Sequence, residues 1–216
     1  MKIFIPIKRN SQRVAGKNFR DFLGLPLYKR TLKEFSNFEI FVDTDSEDLI
    51  SEISEDTELK HVNAYLRNKK LLGDEVSVCD LISDWVKRFK LDESVCQIHV
   101  TSPFLKSKTV SHAFSMLEKG HDSVVSVNTI HSRLWRKESY GFCPVNHNPA
   151  KLEQTQDLPA LYEENSLFYI FNSSCFLKTG MRIGENPFFY ECNFPENIDI
   201  DNENDWDQAV LIGDRS

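Results

Sequence analysis

The stretch IFIPIKRNSQRVAGKN, residues 3–18, decides how this chain is interpreted. Its apolar start, Ile3 to Ile7, predicts a short buried strand. The residues that follow are dense in Lys, Arg, Asn, Gln, Ser and Gly, which predicts a cationic loop at one edge of a sheet. Such a loop offers backbone N–H groups and positive charge to a polyphosphate. Its spacing matches neither a P-loop nor a dinucleotide fingerprint, so another kind of phosphate site is predicted.

Length and charge limit the class of protein. The 216 residues, of which 40% are hydrophobic, suffice for one domain with a large core, so we expect a single domain over residues 1–216. A net charge of −7 argues against a nucleic acid as partner. An anionic ligand would therefore need positive charge concentrated at one place, such as the loop after Ile7.

The cysteines and the hydropathy pattern indicate the compartment. The cysteine count is odd, with no C-x-x-C pair and no histidine at metal-ligand spacing, so reduced and mostly buried thiols are expected rather than a zinc site or a disulfide framework. The apolar N-terminal run is too short for a signal peptide or a membrane span, which favours a cytoplasmic protein with no membrane partner. The cysteines are Cys79, Cys96, Cys143, Cys175 and Cys192.

Strand and helix patterns alternate along the first 130 residues. This order predicts an α/β fold with a mostly parallel sheet sandwiched by helices, with ligands at the carboxyl ends of the strands. Asp45 or Ser46 is the expected N-cap of the second helix. The predicted strands are 3–7, 39–43, 95–100 and 123–127, and the predicted helices are 26–35, 46–53, 76–89, 109–119 and, near the end, 205–212.

The loop in residues 5–18 resembles the signature I-P-A-R-x-x-S-x-x-x-P-x-K-N of the cytidylyltransferases that activate 3-deoxy-2-keto sugar acids, the acylneuraminate and Kdo type. Lys8 stands where the family usually has Arg, and Ala15 where it usually has Pro. The resemblance implies a Rossmann-like, GT-A-like nucleotidyltransferase fold. It also implies that Lys17 and Arg13 hold the departing phosphates. The nucleotide-binding residues implied by the same loop are Ile7, Lys8, Asn10, Ser11 and Asn18.

Two further loops resemble family motifs that belong to the nucleotide site. VDTDSE, residues 42–47, is similar to V-S-T-D-D-E, and we interpret Asp45 as mainly structural because an acidic helix cap explains it equally well. RNKKLLGD, residues 67–74, is similar to R-P-x-x-L-A-x-D, in which the Arg helps to hold the base. Arg67 is therefore the candidate base-binding residue, and Asp74 is expected to fix the loop.

HVTSPFL, residues 99–105, resembles Q-P-T-S-P-L-R of the sialate-type branch. Kdo enzymes generally have a metal-binding Asp at the position of Thr101, so the threonine favours the sialate-like branch. The resemblance makes Thr101 and Ser102 candidates for contact with the sugar. His99 is either a third sugar contact or a loop histidine without a role in binding.

From His131 to about Gly184 the sequence is less regular and more aromatic. Such a segment is either an extension of the core or an arm that packs against another subunit, and the family resemblance favours a protruding arm, 131–184, that forms a homodimer. LPALYEENSLFY, residues 158–169, resembles L-P-x-x-Y-x-x-N-G-x-x-Y. Several sialate enzymes have Arg at the positions of Thr155 and Glu163. Substrate-binding candidates in the arm are Gln156, Asn165 and Tyr169, and candidate cations for the substrate carboxylate are Arg133, Arg136, Lys137 and Lys151.

The last informative segment is IDIDNENDW, residues 198–206. Its alternation predicts an extended strand with Asp199 and Asp201 on one face and the isoleucines packed on the other. Two carboxylates so placed suit Mg²⁺, which bridges phosphate oxygens through one or two protein carboxylates. An acidic cap of the final helix is the alternative explanation for the acidic residues that follow. The segment is similar to the family's I-D-I-D-T-E-x-D, so the resemblance extends over residues 3–212 and implies metal ligation by both aspartates.

The resemblance implies transfer of CMP from CTP to the anomeric hydroxyl of a 2-keto-3-deoxy sugar acid, with release of pyrophosphate. A nine-carbon, sialate-like acid is preferred to Kdo because of Thr101. Arg13, Lys17 and Asp201 are the implied catalytic residues. A nucleotidyltransferase that acts on a sugar 1-phosphate or another phosphorylated acceptor is an alternative. A non-catalytic nucleotide-binding protein is another alternative. A glycosyltransferase is disfavoured, because such enzymes have their D-x-D motif in the middle of the chain, whereas Asp199 and Asp201 lie near the end of this one.

Overall fold

A computed structural model describes residues 1–10, 14–73 and 75–215 of the chain. Eleven strands and six α-helices lie in these ranges. The strands are β1 (Lys2–Ile7), β2 (Asp21–Phe22), β3 (Leu25–Pro26), β4 (Glu39–Thr44), β5 (Val62–Leu66), β6 (Ser94–Ile98), β7 (Ser123–Ile130), β8 (Trp135–Glu138), β9 (Gly141–Pro144), β10 (Leu161–Asn172) and β11 (Pro187–Glu191). The helices are α1 (Leu27–Glu34), α2 (Glu47–Glu55), α3 (Val78–Phe89), α4 (Ser107–Phe114), α5 (Ser173–Thr179) and α6 (Glu203–Gly213).

The central sheet has seven strands in the order β11-β7-β10-β6-β1-β4-β5. β10 runs antiparallel to both of its neighbours, β6 and β7, whereas the other strand pairs are parallel. The prediction of a mostly parallel sheet between helices is therefore confirmed. The carboxyl ends of β1, β4 and β6 lie at one edge, where the loops with the predicted site residues begin.

Alternating side chains of the strands pack on the two faces of the sheet. Ile3, Ile5 and Ile7 of β1 face a cluster completed by α1, α2 and α4, and Phe4 faces a second cluster completed by α3 and α5. The Phe4 ring stacks on Trp85 of α3 with their centroids 4.9 Å apart. Both clusters are fully buried at β1, so this strand lies in the middle of the core.

Several helix boundaries follow from their caps. The Ser46 hydroxyl accepts from the backbone N–H of Leu49 at 3.2 Å and begins α2, whereas Asp45 instead accepts from the N–H of Arg9 at 2.7 Å. Ser46 rather than Asp45 is thus the cap, and Asp45 instead holds the backbone at Arg9, a different contact from the helix cap that we expected. The predicted helix 109–119 is shorter than expected, since α4 ends at Phe114 and a separate 3₁₀ turn follows at Leu117–Lys119.

The two parts of the segment 131–184 belong to different sheets. β8 and β9 form a two-stranded sheet of their own. β10, by contrast, is a central strand whose side chains from Leu167 to Phe171 are buried. A protruding arm is consistent with the hairpin, but not with the second half of the segment.

Two predictions about composition can be compared with the fold. All five cysteines are free thiols, but only Cys96 and Cys192 are buried, so the prediction of mostly buried thiols is wrong. Within the residues that the structure describes, none of the helices is both long and apolar enough to cross a membrane.

Candidate active site

Lys17 connects the loop after β1 with the segment before α6, at the carboxyl ends of the central strands. It follows Gly16, whose φ of +61° lies in the left-handed region that glycine adopts without strain, and it begins a 3₁₀ turn. Lys17 is 7% exposed, and its Nζ donates to the carbonyl oxygen of Ile200 at 2.5 Å. The N–H of Ile200 in turn donates to the carbonyl oxygen of Thr101 at 2.9 Å. The cationic loop, the loop after β6 and the C-terminal aspartate segment therefore meet here.

The aspartate segment keeps the predicted alternation without being a strand of the sheet. Ile200 is buried and Ile198 packs against the same small cluster, which also contains Trp206 of α6. Asp199 and Asp201 are partly exposed. Asp199 lines a cavity of about 320 Å³ together with Phe194, Ile198, Asp205, Gln208 and Ile212.

Asp205 completes the capping box at the start of α6. Its Oδ2 accepts from the backbone N–H groups of Asp201 and Asn202 at 2.9 and 3.0 Å, and it forms a capping box with Asn202 at the start of α6. The bond to Asp205 fixes the backbone of Asp201, and the Asp201 side chain is partly exposed.

The donor set at Asp199 and Asp201 fits the way in which proteins hold Mg²⁺. Among the residues that the structure describes, no group of three or more His, Cys, Asp or Glu side chains could enclose a metal ion. Mg²⁺ is usually bound by one or two carboxylates, water and substrate phosphates, so it does not require such a cage. The two partly exposed aspartates beside buried Lys17 meet this weaker requirement.

His99 lies just past the end of β6, close to the charges of the site. Burial, together with the nearby cations Arg182 and Lys17, lowers the pKa of His99 to about 4, while Asp201 acts in the opposite direction. The imidazole is therefore neutral at pH 7. Nearby, Ser102 is buried, and its hydroxyl has no hydrogen-bond partner within the described part of the chain. The structure thus places His99 close to Lys17 and Asp201, and Thr101 against Ile200 of the aspartate segment.

The cationic loop after β1 is held by bonds from its side chains to backbone carbonyls. The Asn18 side-chain amide donates to the carbonyl of Lys8 at 2.9 Å, and Lys8 Nζ donates to the carbonyl of Gly73 at 3.2 Å. Ile7 is buried, whereas Asn10 is exposed at the start of the loop. The predicted residues Ser11, Arg13 and Asp74 lie outside the described residues.

Arg67 is paired with an acidic residue that the sequence did not single out. The Arg67 side chain is 1% exposed, and its Nε donates to Asp43 Oδ1, while Asp43 is fully buried at the end of β4. Burial raises the pKa of Asp43 even though Arg67 lowers it. Asp43 stands where the motif V-S-T-D-D-E has Ser. A charge inside an otherwise apolar strand was the only signal that could have identified this pair.

The remaining candidates are divided between the sheet and the surface. Tyr169 and Asn165 belong to β10, where the Tyr169 hydroxyl donates to Glu164 at 2.9 Å and the Asn165 amide donates to Asn128 at 3.0 Å. Gln156 is exposed on a 3₁₀ turn and donates to Gln154. The sequence analysis did not identify Arg182 as a candidate. Its guanidinium lies 3.8 Å from the centre of the Tyr169 ring.

Solved structures with the same fold include two enzymes that handle cytidine nucleotides. The CMP:2-keto-3-deoxy-manno-octonic acid synthetase, solved with CTP, has a TM-score of 0.67 at 14% identity, with 99% of this chain and 98% of that one covered. The 4-diphosphocytidyl-2C-methyl-D-erythritol synthase of Anaerococcus prevotii has a TM-score of 0.70 at 13% identity, with 99% and 96% covered. At such identities the likeness shows the fold, which is the Rossmann-like α/β fold of nucleotidyltransferases.

Sequence relatives are more informative about the family. The CMP-N,N'-diacetyllegionaminic acid synthase of Legionella pneumophila is 32% identical, over 94% of this chain and 91% of that protein. The N-acylneuraminate cytidylyltransferase A of Danio rerio is 29% identical, over 93% of this chain but only 48% of that protein, so the chain spans about half the length of the zebrafish protein. A sequence model described as cytidylyltransferase matches residues 3–212, and the chain therefore belongs to the cytidylyltransferase family of nucleotidyltransferases.

Proposed function

We propose that this chain transfers CMP from CTP to the anomeric hydroxyl of a 2-keto-3-deoxy sugar acid and releases pyrophosphate. The observation that carries the proposal is the bond from Lys17 Nζ to the Ile200 carbonyl. It brings a buried cation from the phosphate loop next to the aspartate segment, beside the loop that contains His99 and Thr101. A phosphoryl-type transfer depends mainly on positioning and on charge stabilisation, and this arrangement supports both.

The roles of the side chains follow from their surroundings. Lys17 is buried and bonded to the Ile200 carbonyl, so its charge is fixed at one position, where it would stabilise the departing pyrophosphate. Neutral His99 would donate or accept a hydrogen bond at the sugar without adding charge. Asp199 and Asp201 would hold Mg²⁺, which supplies charge neutralisation at the phosphate oxygens when it is bound. Arg67, fixed by Asp43, would contribute to the base pocket as a positioned donor.

The choice of acceptor rests on the relatives and on one residue. The two sequence relatives are named for an N-acylneuraminate and a diacetyllegionaminic acid, which supports a sialate-like acid. Thr101, where the Kdo branch generally has Asp, favours the same choice. We therefore rank a nine-carbon sialate-like acid before Kdo. A cytoplasmic location fits a chain whose five cysteines are free thiols.

The experiment is incubation of the protein with CTP, Mg²⁺ and each acid of a 2-keto-3-deoxy panel, with pyrophosphate and the CMP-linked sugar measured. We expect both products with at least one nine-carbon acid, and no product when EDTA is present. Asp207→Asn, a change on the exposed side of α6, is a matched control that should keep full activity. Turnover of a sugar 1-phosphate, with no reaction from any 2-keto acid, would refute the proposal.

We propose a homodimer for the same enzyme, formed through the β8–β9 hairpin. Trp135, Tyr140 and Phe142 of the hairpin are 50%, 80% and 67% exposed, which is much aromatic surface for a small protrusion. Light scattering at micromolar concentration should give twice the mass of the chain. Tyr140→Ser together with Phe142→Ser should shift the protein towards the monomer, and a wild-type monomer under these conditions would contradict the proposal.

A further inference from the structure

Arg182, in the turn between α5 and β11, contacts β6 and β10 one residue before the end of β6, after which the loop with His99 begins. It is partly buried, and its Nη1 donates to Gln97 Oε1 on β6 at 2.6 Å. Its guanidinium also lies over the Tyr169 ring of β10. Gln97 and Tyr169 are directly paired across the two strands, so Arg182 spans them. His99, two residues past Gln97, is close enough to experience the charges of both Arg182 and Lys17.

The immediate partners of Arg182 are neutral. In the described ranges, we find no carboxylate within ion-pair distance of its guanidinium, and its contacts are an amide and an aromatic ring. Gln97 is fully buried, and its Nε2 finds no acceptor among the described residues. The Arg182 guanidinium and the Gln97 side-chain amide therefore lie side by side, and both have N–H groups that these contacts do not use. Unsatisfied buried donors are costly, so this arrangement is complementary to an incoming anion.

Carboxylates surround this pair without forming an ion pair with Arg182. Glu164 accepts from the Tyr169 hydroxyl at 2.9 Å. Asp122 and Glu185 line the same cavity as Arg182, and Asp122 Oδ2 accepts from the backbone N–H of Glu185 at 2.7 Å.

Three of the four candidate cations of the hairpin region, in contrast, are bound locally, whereas Lys137 is exposed and has no ion pair among the described residues. Arg133 donates to the carbonyl of Glu153, and Arg136 donates to Glu138. Lys151 donates to Glu153 at 2.7 Å. Each of these three would have to exchange its partner before it could bind a substrate carboxylate.

We propose that Arg182, oriented by Gln97 and Tyr169, binds the carboxylate of the sugar-acid substrate. The inference rests on the proposed function, and it assigns substrate selection to a cation of the same chain rather than to the hairpin. A planar guanidinium can bind a carboxylate through two parallel N–H···O bonds, which fixes the orientation of the acid and not only its charge. The carboxylate is bonded to the anomeric carbon, so this contact would also orient the attacking hydroxyl towards the phosphate.

The test compares two substrates on four proteins. The substrates are the best 2-keto acid of the panel and its carboxamide, each with CTP and Mg²⁺. The proteins are the wild type, Arg182→Gln, Arg182→Lys and Lys178→Gln, the last removing an exposed cation of α5 as a control. Thermal melting of each variant checks that it is folded, and Arg182→Lys, which keeps the charge, serves if Arg182→Gln is unfolded.

For Arg182→Gln we expect the KM for the acid to rise by about 10- to 100-fold, the range for loss of a hydrogen bond to a charged group, with the KM for CTP unchanged. The preference for acid over carboxamide should nearly disappear. Arg182→Lys should restore part of it, and Lys178→Gln should equal the wild type. A folded Arg182→Gln or Arg182→Lys variant with the wild-type preference would overturn the inference alone. A wild type that turns over no 2-keto acid would overturn the proposed function first.

Discussion

The cations at the carboxyl edge of the sheet and those of the β8–β9 hairpin differ in what holds them. Lys17 and Arg67 are buried, and their partners are a backbone carbonyl and a buried carboxylate that lie far away along the chain. Arg136 and Lys151 are 70% and 71% exposed, and each pairs with a glutamate two residues away. Exposed local pairs contribute little because water competes for both charges. The fold therefore fixes the positions of the Lys17 and Arg67 charges at the carboxyl edge of the sheet, whereas it does not fix those of Arg136 and Lys151.

The largest expected effect comes from removing one carboxylate of the sheet edge. Asp201→Asn should reduce Mg²⁺-dependent turnover by about 10³-fold, since charge stabilisation by a metal is typically worth several kcal/mol. Its melting temperature should stay close to that of the wild type, because the capping box of α6 is formed by Asn202 and Asp205 and not by the Asp201 side chain. Steady-state kinetics beside Asp207→Asn tests this. Near-normal activity of Asp201→Asn in Mg²⁺ would show that the metal assignment is wrong.

Breaking the buried ion pair should affect the free energy of unfolding instead. Asp43→Ala leaves the Arg67 guanidinium buried without its carboxylate, which typically costs about 3–5 kcal/mol. The double variant Asp43→Ala, Arg67→Met should recover part of this loss, since it removes the unpaired charge. Urea denaturation of both variants measures the difference. A double variant less stable than Asp43→Ala would contradict the idea that the unpaired charge causes the loss.

Asp122 should have an effect of intermediate size. It is exposed like the charges of the hairpin, but backbone N–H groups hold its carboxylate in place. Glu185 and Asn186 donate to its Oδ2 at 2.7 and 2.9 Å. Partial burial raises the pKa of Asp122, but the bonds from Asn186 and Ser123 outweigh it and hold the pKa below its ordinary value. Asp122→Asn should cost about 1 kcal/mol at pH 7.

The pH dependence gives this prediction a sign. A carboxyl whose pKa is lowered by folding stabilises the folded state above its unfolded pKa of about 4, and this contribution is lost as the pH falls through the folded value. The difference in melting temperature between wild type and Asp122→Asn should therefore shrink between pH 5 and the acid limit of folding. An equal difference at every pH would mean that the ionised carboxylate is not responsible.

The smallest expected effect belongs to the hairpin. Arg136→Gln removes an exposed pair with Glu138 and should change the free energy of unfolding by about 0.5 kcal/mol or less. Urea denaturation of Arg136→Gln and Glu138→Gln checks this. A loss comparable to that of Asp43→Ala would show that the two regions do not differ as described.

Much of the fold could be predicted because its elements have strong local patterns. β1, β4, β6 and β7 are apolar runs, and α2 begins at the capping residue Ser46, so periodicity and one cap located these elements, whereas the caps Ser77 of α3 and Asn202 of α6 were not predicted. β5 was missed because its residues are only partly buried and show no apolar run. β10 was assigned to the arm because its position between β6 and β7 depends on pairing with distant strands, which a local pattern does not contain.

The amino-acid sequence by itself determined which chemical groups are present: a cationic loop after the first strand, a Thr-Ser-Pro loop after a later one, and paired aspartates near the end. Only the tertiary structure decided which of them meet. Lys17 and Ile200 are 183 positions apart, Arg182 and Gln97 are 85 apart, and the pairing of Asp43 with Arg67 requires β4 and β5 to lie side by side. The physical reason is that burial and hydrogen-bond partners of a charged side chain depend on neighbours in space, whereas sequence patterns report only neighbours along the chain.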